Sequence, residues 1–289
     1  MSYLDRVLTA THHDLNGFLP FLIEKVVVGF LRPALVEVLR GYSEVFRVED
    51  DHIALSEDLK EPGARTEAVD SVLELLRTEG LIGRAVGEQY GVVQDPGDRP
   101  LMSIERSAVE AFGIIATGFH LNGLVGDHMW IARRSRTKMT FPGQLDNMVA
   151  GGWPVGIMQE ENVIKECGEE AGMSRELARQ ADPVGVMTYV MEVPTGLRRH
   201  AMYLYDLELP ADFTPHAVDG EVESFQLHPI EEVADMVRET DEFKYNSALA
   251  VIDYLIRSDR INSTHPDHAS LVAGMKSSLQ SGFMLWSGS

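Results

Sequence analysis

The chain has 289 residues, 44% of them hydrophobic, enough for a substantial buried core and a length suited to one large domain or two ordinary ones. Its 45 acidic and 25 basic residues leave a formal net charge of −20, a field that repels nucleic acid and anionic membranes but admits an anionic small molecule where local cations invert the potential. The single cysteine, Cys167, excludes an intrachain disulfide framework and a thiolate zinc cage.

In chain order, the N-terminus carries His12, His13 and Asp14 rather than a basic segment followed by an apolar one. Gly29, Arg32, Pro33 and Glu37 break the apolar stretch 26–39, so no membrane partner is expected and the expected location is cytoplasmic. Residues 4–39 predict two or three short helical or strand pieces, punctuated by Gly17, Pro20 and Pro33. Residues 45–55 alternate like a strand and end in the polar turn 57–63. The spacing of Val69, Val72, Leu73 and Leu76 predicts a helix over 66–79, stopped by Gly80.

A strand is expected over 85–93, and the Pro/Gly/Asp-rich stretch 95–100 is the linker candidate. This divides the chain into an N-terminal α+β domain (1–100), a second domain (101–258) and a tail (259–289) carrying a short amphipathic helix near 268–279. Beyond the linker, 103–112 reads as a helix, and 113–121 and 124–134 read as strands joined at Asn122-Gly123, a pair suited to a hairpin turn. Later strands are predicted over 184–193, 201–209 and 221–227, with helices over 230–239 and 246–257. Strands interrupted and closed by helices indicate an α/β/α sandwich around a mixed sheet.

The chemistry concentrates in residues 151–173. On a helix, Glu166, Glu169 and Glu170 stand at i, i+3 and i+4 and share one face, while Val163, Ile164, Cys167 and Ala171 point away to be buried. Gly172 stands where a left-handed residue would end the helix. An acidic, solvated helix face is the ordinary reading of such glutamates. The preceding glycine-rich segment, Gly151-Gly152-Trp153-Pro154-Val155-Gly156, favours instead a site where a hard divalent cation sits among carboxylates and backbone approaches a ligand closely.

This text resembles the Nudix signature: a glycine, five residues, a glutamate, seven residues, then Arg-Glu-apolar-any-Glu-Glu-any-Gly-apolar. Gly151, Glu166, Glu169, Glu170 and Gly172 match it, and Cys167 and Met173 fill the apolar slots. Ile157 replaces the first glutamate and Lys165 the arginine. Because those positions are charge-complementary, their joint loss reads as a coupled change. The flanking text resembles the Nudix module associated with thiamine pyrophosphokinase: Arg133-Arg134-Ser135, Lys138, Phe141 to Asn147, Val149 to Gly152, Asp219 to Phe225, and in the first half 65–81, 104–108 and 112–123.

The resemblance implies a Nudix α/β/α sandwich that hydrolyses thiamine diphosphate, or a damaged analogue, to the monophosphate. It implies Mg²⁺ (or Mn²⁺) held by Glu166, Glu169 and Glu170, with Glu170 or an accessory carboxylate, Glu221 or preferably Glu223, as base. Arg133, Arg134, Arg136 and Lys138 are candidates to grip phosphates, the last three having matching parity on an extended backbone. Gly151 and Gly152 are candidates for close backbone approach to the substrate. Phe141, Trp153 or Tyr189 could stack on a substrate ring, though each is more often core. His120, His200 and His216 show no metal-ligand spacing.

The expected partner is a small diphosphate, with a homodimer possible. An isopentenyl-diphosphate isomerase is disfavoured because 144–152 lacks the cysteine proton donor that such enzymes need. A hydrolase of another nucleoside diphosphate derivative is the alternative within the class, and a catalytically weak or silent ligand sensor on the same fold is the rival from another class.

Overall fold

In the computed structural model, which describes residues 2–279, the first helix does not pack with the strands that follow it. Helix α1 (Tyr3–Thr11) starts at a capping box: the Ser2 hydroxyl accepts the Asp5 N–H at 3.1 Å and the Asp5 carboxylate accepts the Ser2 N–H at 2.7 Å. Its apolar face, Tyr3, Val7 and Ala10, joins the core that residues 230–275 form with sheet residues such as Met129, Ile131 and Leu204, and Arg6 donates to the Val237 carbonyl at 2.9 Å.

The first sheet has the order β2-β1-β4-β3, built from β1 (Leu19–Ile23), β2 (Val26–Leu31), β3 (Phe46–Val48) and β4 (Ile53–Leu55), with α2 (Pro33–Leu39) between the two hairpins. The single strand expected over 45–55 is thus a hairpin. Helix α3 (Pro62–Thr78) buries Val69, Val72, Leu73 and Leu76 as their spacing predicts, and Gly80 follows it at φ +73°. Full burial of each such side chain contributes about 1.5–3 kcal/mol.

The segment 95–100, expected as a linker, is the loop of a hairpin joining β5 (Gln89–Val92) to β6 (Met102–Glu105). The helix expected over 103–112 is absent. Met102, Ser103, Ile104 and Glu105 pair with β5, and a 3₁₀ turn, Arg106–Ala108, follows. Tertiary pairing overrides local helix preference here, and Ile104, Ala108, Val109, Phe112 and Ile114 extend the first core well beyond residue 100.

The second sheet is mixed, with the order β11-β12-β7-β8-β13, while β10 also pairs with β7 and β9 with β8. Its strands are β7 (Ile115–Val125), β8 (His128–Arg134), β9 (Leu145–Asn147), β10 (Val149–Gly152), β11 (Asp182–Val193), β12 (Gly196–Glu208) and β13 (Val222–Pro229). Only β12 against β7 is parallel. Alternation along β7 serves both faces. Phe119 and Leu121 meet α4 (Gln159–Ala171) and α5 (Arg175–Ala178) on one side. The other side is covered by α6 (Ile230–Glu239), α7 (Tyr245–Arg257), α8 (His268–Gly274) and α1. The result is the expected α/β/α arrangement. The end of the predicted tail, 280–289, lies outside the described residues.

Asn122-Gly123 is not a turn. Both residues lie inside β7, opposite Asp206 and Leu207 of β12, and the hairpin closes at Gly126-Asp127. Asn122 donates to Asp206 at 2.9 Å and accepts from Asn147 at 2.8 Å. A Cβ on Gly123 would fall 2.0 Å from the Met148 sulfur, so this glycine serves close packing rather than a positive φ.

Candidate active site

Gly151 and Gly152 are not in a loop; they end β10, opposite Phe119 and Gly118 of β7. A Cβ on Gly151 would lie 2.9 Å from Cγ of Glu166, and one on Gly152 would lie 1.9 Å from the Tyr90 hydroxyl. The space these glycines leave is filled by the chain's own side chains, from α4 and from the β5–β6 hairpin. The connection into α4 is held by Asn162, which donates to the Gly152 carbonyl at 2.8 Å, and by the Trp153 indole, which donates to the Ile157 carbonyl at 2.8 Å. Ile157, at the glutamate position of the signature, thus contributes its backbone.

The far end of α4 follows the sequence reading. Gly172 is left-handed (φ 64°) and donates to Gly168 at 3.2 Å, and Met173 donates to Cys167 at 3.1 Å. Val163, Ile164, Cys167 and Ala171 are buried against the sheet. The three glutamates grade from core to solvent. Glu170 is buried and accepts the Ala150 N–H at 3.1 Å, Glu166 is 17% exposed, and Glu169 is 51% exposed. Lys165 is neither buried nor unpaired: its ammonium lies 2.9 Å from Glu166 and 3.0 Å from Glu169.

Burial dominates the electrostatics. Loss of solvent pushes the Glu170 carboxyl up to about 8, opposed by the Ala150 N–H and reinforced by Asp146, Glu166 and Glu221. Burial also raises Glu166, opposed by Lys165 and reinforced by Glu169 and Glu221. Burial works against the Lys165 charge, but Glu166 and Glu169 outweigh it and raise that ammonium.

Of the two later glutamates, Glu221 is the one whose charge acts on Glu166 and Glu170, whereas the expectation favoured Glu223. Glu223 is exposed and pairs with Arg136 at 3.4 Å. A bulge between Val222 and Ser224 in the pairing with β8 interrupts the regular alternation from which the two were expected to share a face.

The basic run is likewise dispersed, because β8 ends at Arg134 and parity means nothing in the loop that follows. Arg134 is buried as a structural tie, donating to Phe141 at 3.1 Å, Thr140 at 2.9 Å and Asp146 at 2.9 Å. Arg133 donates to Gly143 at 2.9 Å and pairs with Glu242 at 3.1 Å. Lys138 pairs with Glu221, so Lys138 and Arg136 are the members that stand beside the start of β13.

Of the aromatic candidates, Tyr189 is fully buried, whereas Phe141 and Trp153 are partly exposed, Trp153 packing edge-on to Tyr203 at 5.5 Å. Sequence reasoning gave no role to Asp146, Tyr90 or Arg106. Asp146 is buried among Arg134, Lys244 (3.3 Å) and Ser247. Arg106 pairs with Glu88 at 2.8 Å. No local spacing signals any of the three.

The donor set on the α4 edge is carboxylate oxygen alone, the chemistry that suits a hard divalent cation. Burial, reinforced by neighbouring carboxylates, raises Glu166 and Glu170, so a cation placed between them would favour their charged forms, and Lys165 already occupies one such place. As the side chains stand, no three His, Cys, Asp or Glu groups among the described residues converge closely enough to hold an ion. The residues therefore fit a cation in chemistry and in shared edge, with Lys165 standing between two of the three carboxylates.

Residues 2–116 match a family described as "Domain of unknown function (DUF4743)". The chain is 40% identical over 263 residues to Nudix hydrolase 24, chloroplastic, of Arabidopsis thaliana, covering 89% of this chain and 72% of that protein. It is also 40% identical over 256 residues to Nudix hydrolase 20, chloroplastic, of the same plant, covering 84% and 68%. Among solved structures, DR0079 from Deinococcus radiodurans superposes with a TM-score of 0.47 at 20% identity, covering 57% of this chain and 98% of that one.

Proposed function

The chain belongs to the Nudix hydrolases, which act on pyrophosphate bonds, and from that premise we propose that it cleaves thiamine diphosphate, or a damaged analogue, to the monophosphate and phosphate. The observation that carries this reading is the alignment of Glu166, Glu169 and Glu170 along the α4 edge, with Glu170 tied to β10 through Ala150. The substrate rests on the likeness of 133–135, Lys138, 141–147, 149–152 and 219–225 to the thiamine-associated Nudix module.

Nudix hydrolases generally use divalent metal ions, and in this chain Glu166, Glu169 and Glu170 would hold Mg²⁺, or Mn²⁺ in its place. Such an ion, when bound, supplies charge neutralisation at the diphosphate and acidification of a water. Glu170 or Glu221 takes the proton of the attacking water as its oxygen bonds to phosphorus and the bridging P–O bond breaks. Lys138 and Arg136 flank the negative charge of the leaving group. Burial of Glu170 keeps bulk water from its carboxyl. Cytoplasmic location is part of the same proposal, tested by fractionation; among the described residues no helix is long and apolar enough to cross a membrane.

The test is phosphate release across thiamine diphosphate, its oxidised analogues, ADP-ribose and dinucleotides, with and without EDTA. EDTA-insensitive turnover would refute the metal-dependent chemistry, and preference for ADP-ribose would refute the substrate. The ammonium of Lys165 between Glu166 and Glu169 favours a second reading, a sensor that binds diphosphates without hydrolysing them. Binding with no turnover across the panel would establish it.

A further inference from the structure

Phe141 is held at φ +51°, a left-handed backbone that a bulky L residue rarely adopts. Arg134 fixes the peptide by donating to the Thr140 and Phe141 carbonyls. The strain secures a placement. The Phe141 ring lies 5.5 Å from that of Tyr245, tilted 59°, and the Arg198 guanidinium carbon lies 5.6 Å from each ring centre.

The assembly has a fixed rear. Tyr189, fully buried, stands edge-on to Tyr245 at 5.7 Å, with its hydroxyl 2.6 Å from His200 Nδ1 and 3.1 Å from the Tyr245 hydroxyl. Arg198 is clamped by the Glu110 carboxylate, and the Leu197 N–H donates to the Glu110 carbonyl at 2.9 Å. The front is open, since Phe141, Tyr245 and Arg198 are all partly exposed. Lys138, which pairs with Glu221, precedes Phe141 by three residues, a span of at most about 11 Å. One loop therefore carries both a contact to the carboxylate site and the strained ring.

We propose that Phe141, Tyr245 and Arg198 form a subsite for a planar, uncharged heteroaromatic ring carried by the diphosphate substrate. A flat ring stacks on aromatic and guanidinium planes alike, and the guanidinium also donates to ring nitrogen or oxygen. The Arg198 charge disfavours a cationic ring placed directly against it, so in thiamine compounds the aminopyrimidine, not the thiazolium, belongs here. An aliphatic diphosphate gains none of this stacking. The inference rests on the diphosphatase reading for what lies at the other end of the ligand.

The experiment is calorimetric binding of thiamine monophosphate, adenosine monophosphate and inorganic phosphate to the full chain and to Phe141→Gly and Arg198→Lys. Phe141→Gly removes the ring and relieves the backbone strain, so it tests recognition without demanding a strained fold. We expect the parent to bind at least one ring-bearing monophosphate about tenfold or more tightly than inorganic phosphate. Both variants should lose most of that preference while inorganic phosphate binding stays within about twofold. A parent with no preference for the ring-bearing ligands overturns the subsite, as does a Phe141→Gly chain that keeps the preference. Absence of turnover in the phosphate-release panel counts against the hydrolase reading alone, because the binding comparison needs no turnover.

Discussion

The Glu170 carboxylate accepts the Ala150 N–H at 3.1 Å, tying the last turn of α4 to β10. Substitution Glu170→Gln keeps an acceptor oxygen for that bond and removes the group's ability to ionise and exchange a proton. It should therefore preserve the melting temperature while lowering phosphate release by at least about 100-fold, the range expected when an acid–base or metal-binding carboxylate is lost. Thermal melting and product assay on the same preparation check this. Activity within tenfold of the parent would remove Glu170 from the reacting group.

Lys165 competes with any metal ion for the oxygens of Glu166 and Glu169. A unit charge acting over ~6 Å in a water-like dielectric is worth about 0.7 kcal/mol, or about threefold in affinity. Lys165→Met should bind Mn²⁺ at least about threefold more tightly, read by titration of the free-ion signal in electron paramagnetic resonance. Affinity equal to or weaker than the parent's would show that Lys165 orders the carboxylates rather than opposing the ion.

His120 on β7 is 1% exposed, with neither ring nitrogen hydrogen-bonded to a described group. Burial holds it down to about 3, Lys244 adding to the effect and Asp146 opposing it. Above about pH 6.5 the ring is neutral folded or unfolded and contributes no slope. As pH falls from 6.5 toward 3, the unfolded chain takes up a proton that the native chain refuses, so stability is lost at up to about 1.4 kcal/mol per pH unit. Urea unfolding at pH 7, 6 and 5 should show the parent losing stability faster than His120→Gln. Parallel curves would mean that the ring is reached by solvent.

Helix α4 was legible because one stretch of text carried a buried face (Val163, Ile164, Cys167, Ala171), an acidic face and a stop at Gly172, all within thirteen helical residues and their cap. The α/β/α layering was legible from alternating element types. What was not legible depended on distant partners. Asn122-Gly123 carries a turn signal that the packing of Met148 and the bond to Asp206 override. Glu221 and Glu223 are indistinguishable by spacing, and a bulge opposite β8 separates their roles. Arg134 and Arg136 share parity, yet Asp146 draws the first inward while the second stays in solvent.

Gly152 and Tyr90 join the N-terminal hairpin to the strand beneath the carboxylates, and their contact makes a separable prediction. A Cβ at Gly152 would lie 1.9 Å from the Tyr90 hydroxyl oxygen but 3.2 Å from the ring carbon bearing it. The hydroxyl therefore accounts for most of the clash. Gly152→Ala alone should destabilise the chain by about 1–3 kcal/mol, the usual cost of overpacking. Tyr90→Phe alone should cost less, since Tyr90 is 4% exposed and keeps its ring in the core. The double variant should recover most of the Gly152→Ala loss, giving a coupling energy of at least about 1 kcal/mol in a double-mutant cycle. Val155 donates to the Gln89 carbonyl at 2.8 Å beside this contact, so the same cycle read in KM reports whether the hairpin shapes the site. Additive losses in both readouts would mean that β10 moves away from the hairpin independently, and the N-terminal region would then be only an attached neighbour of the helix that carries Glu166, Glu169 and Glu170.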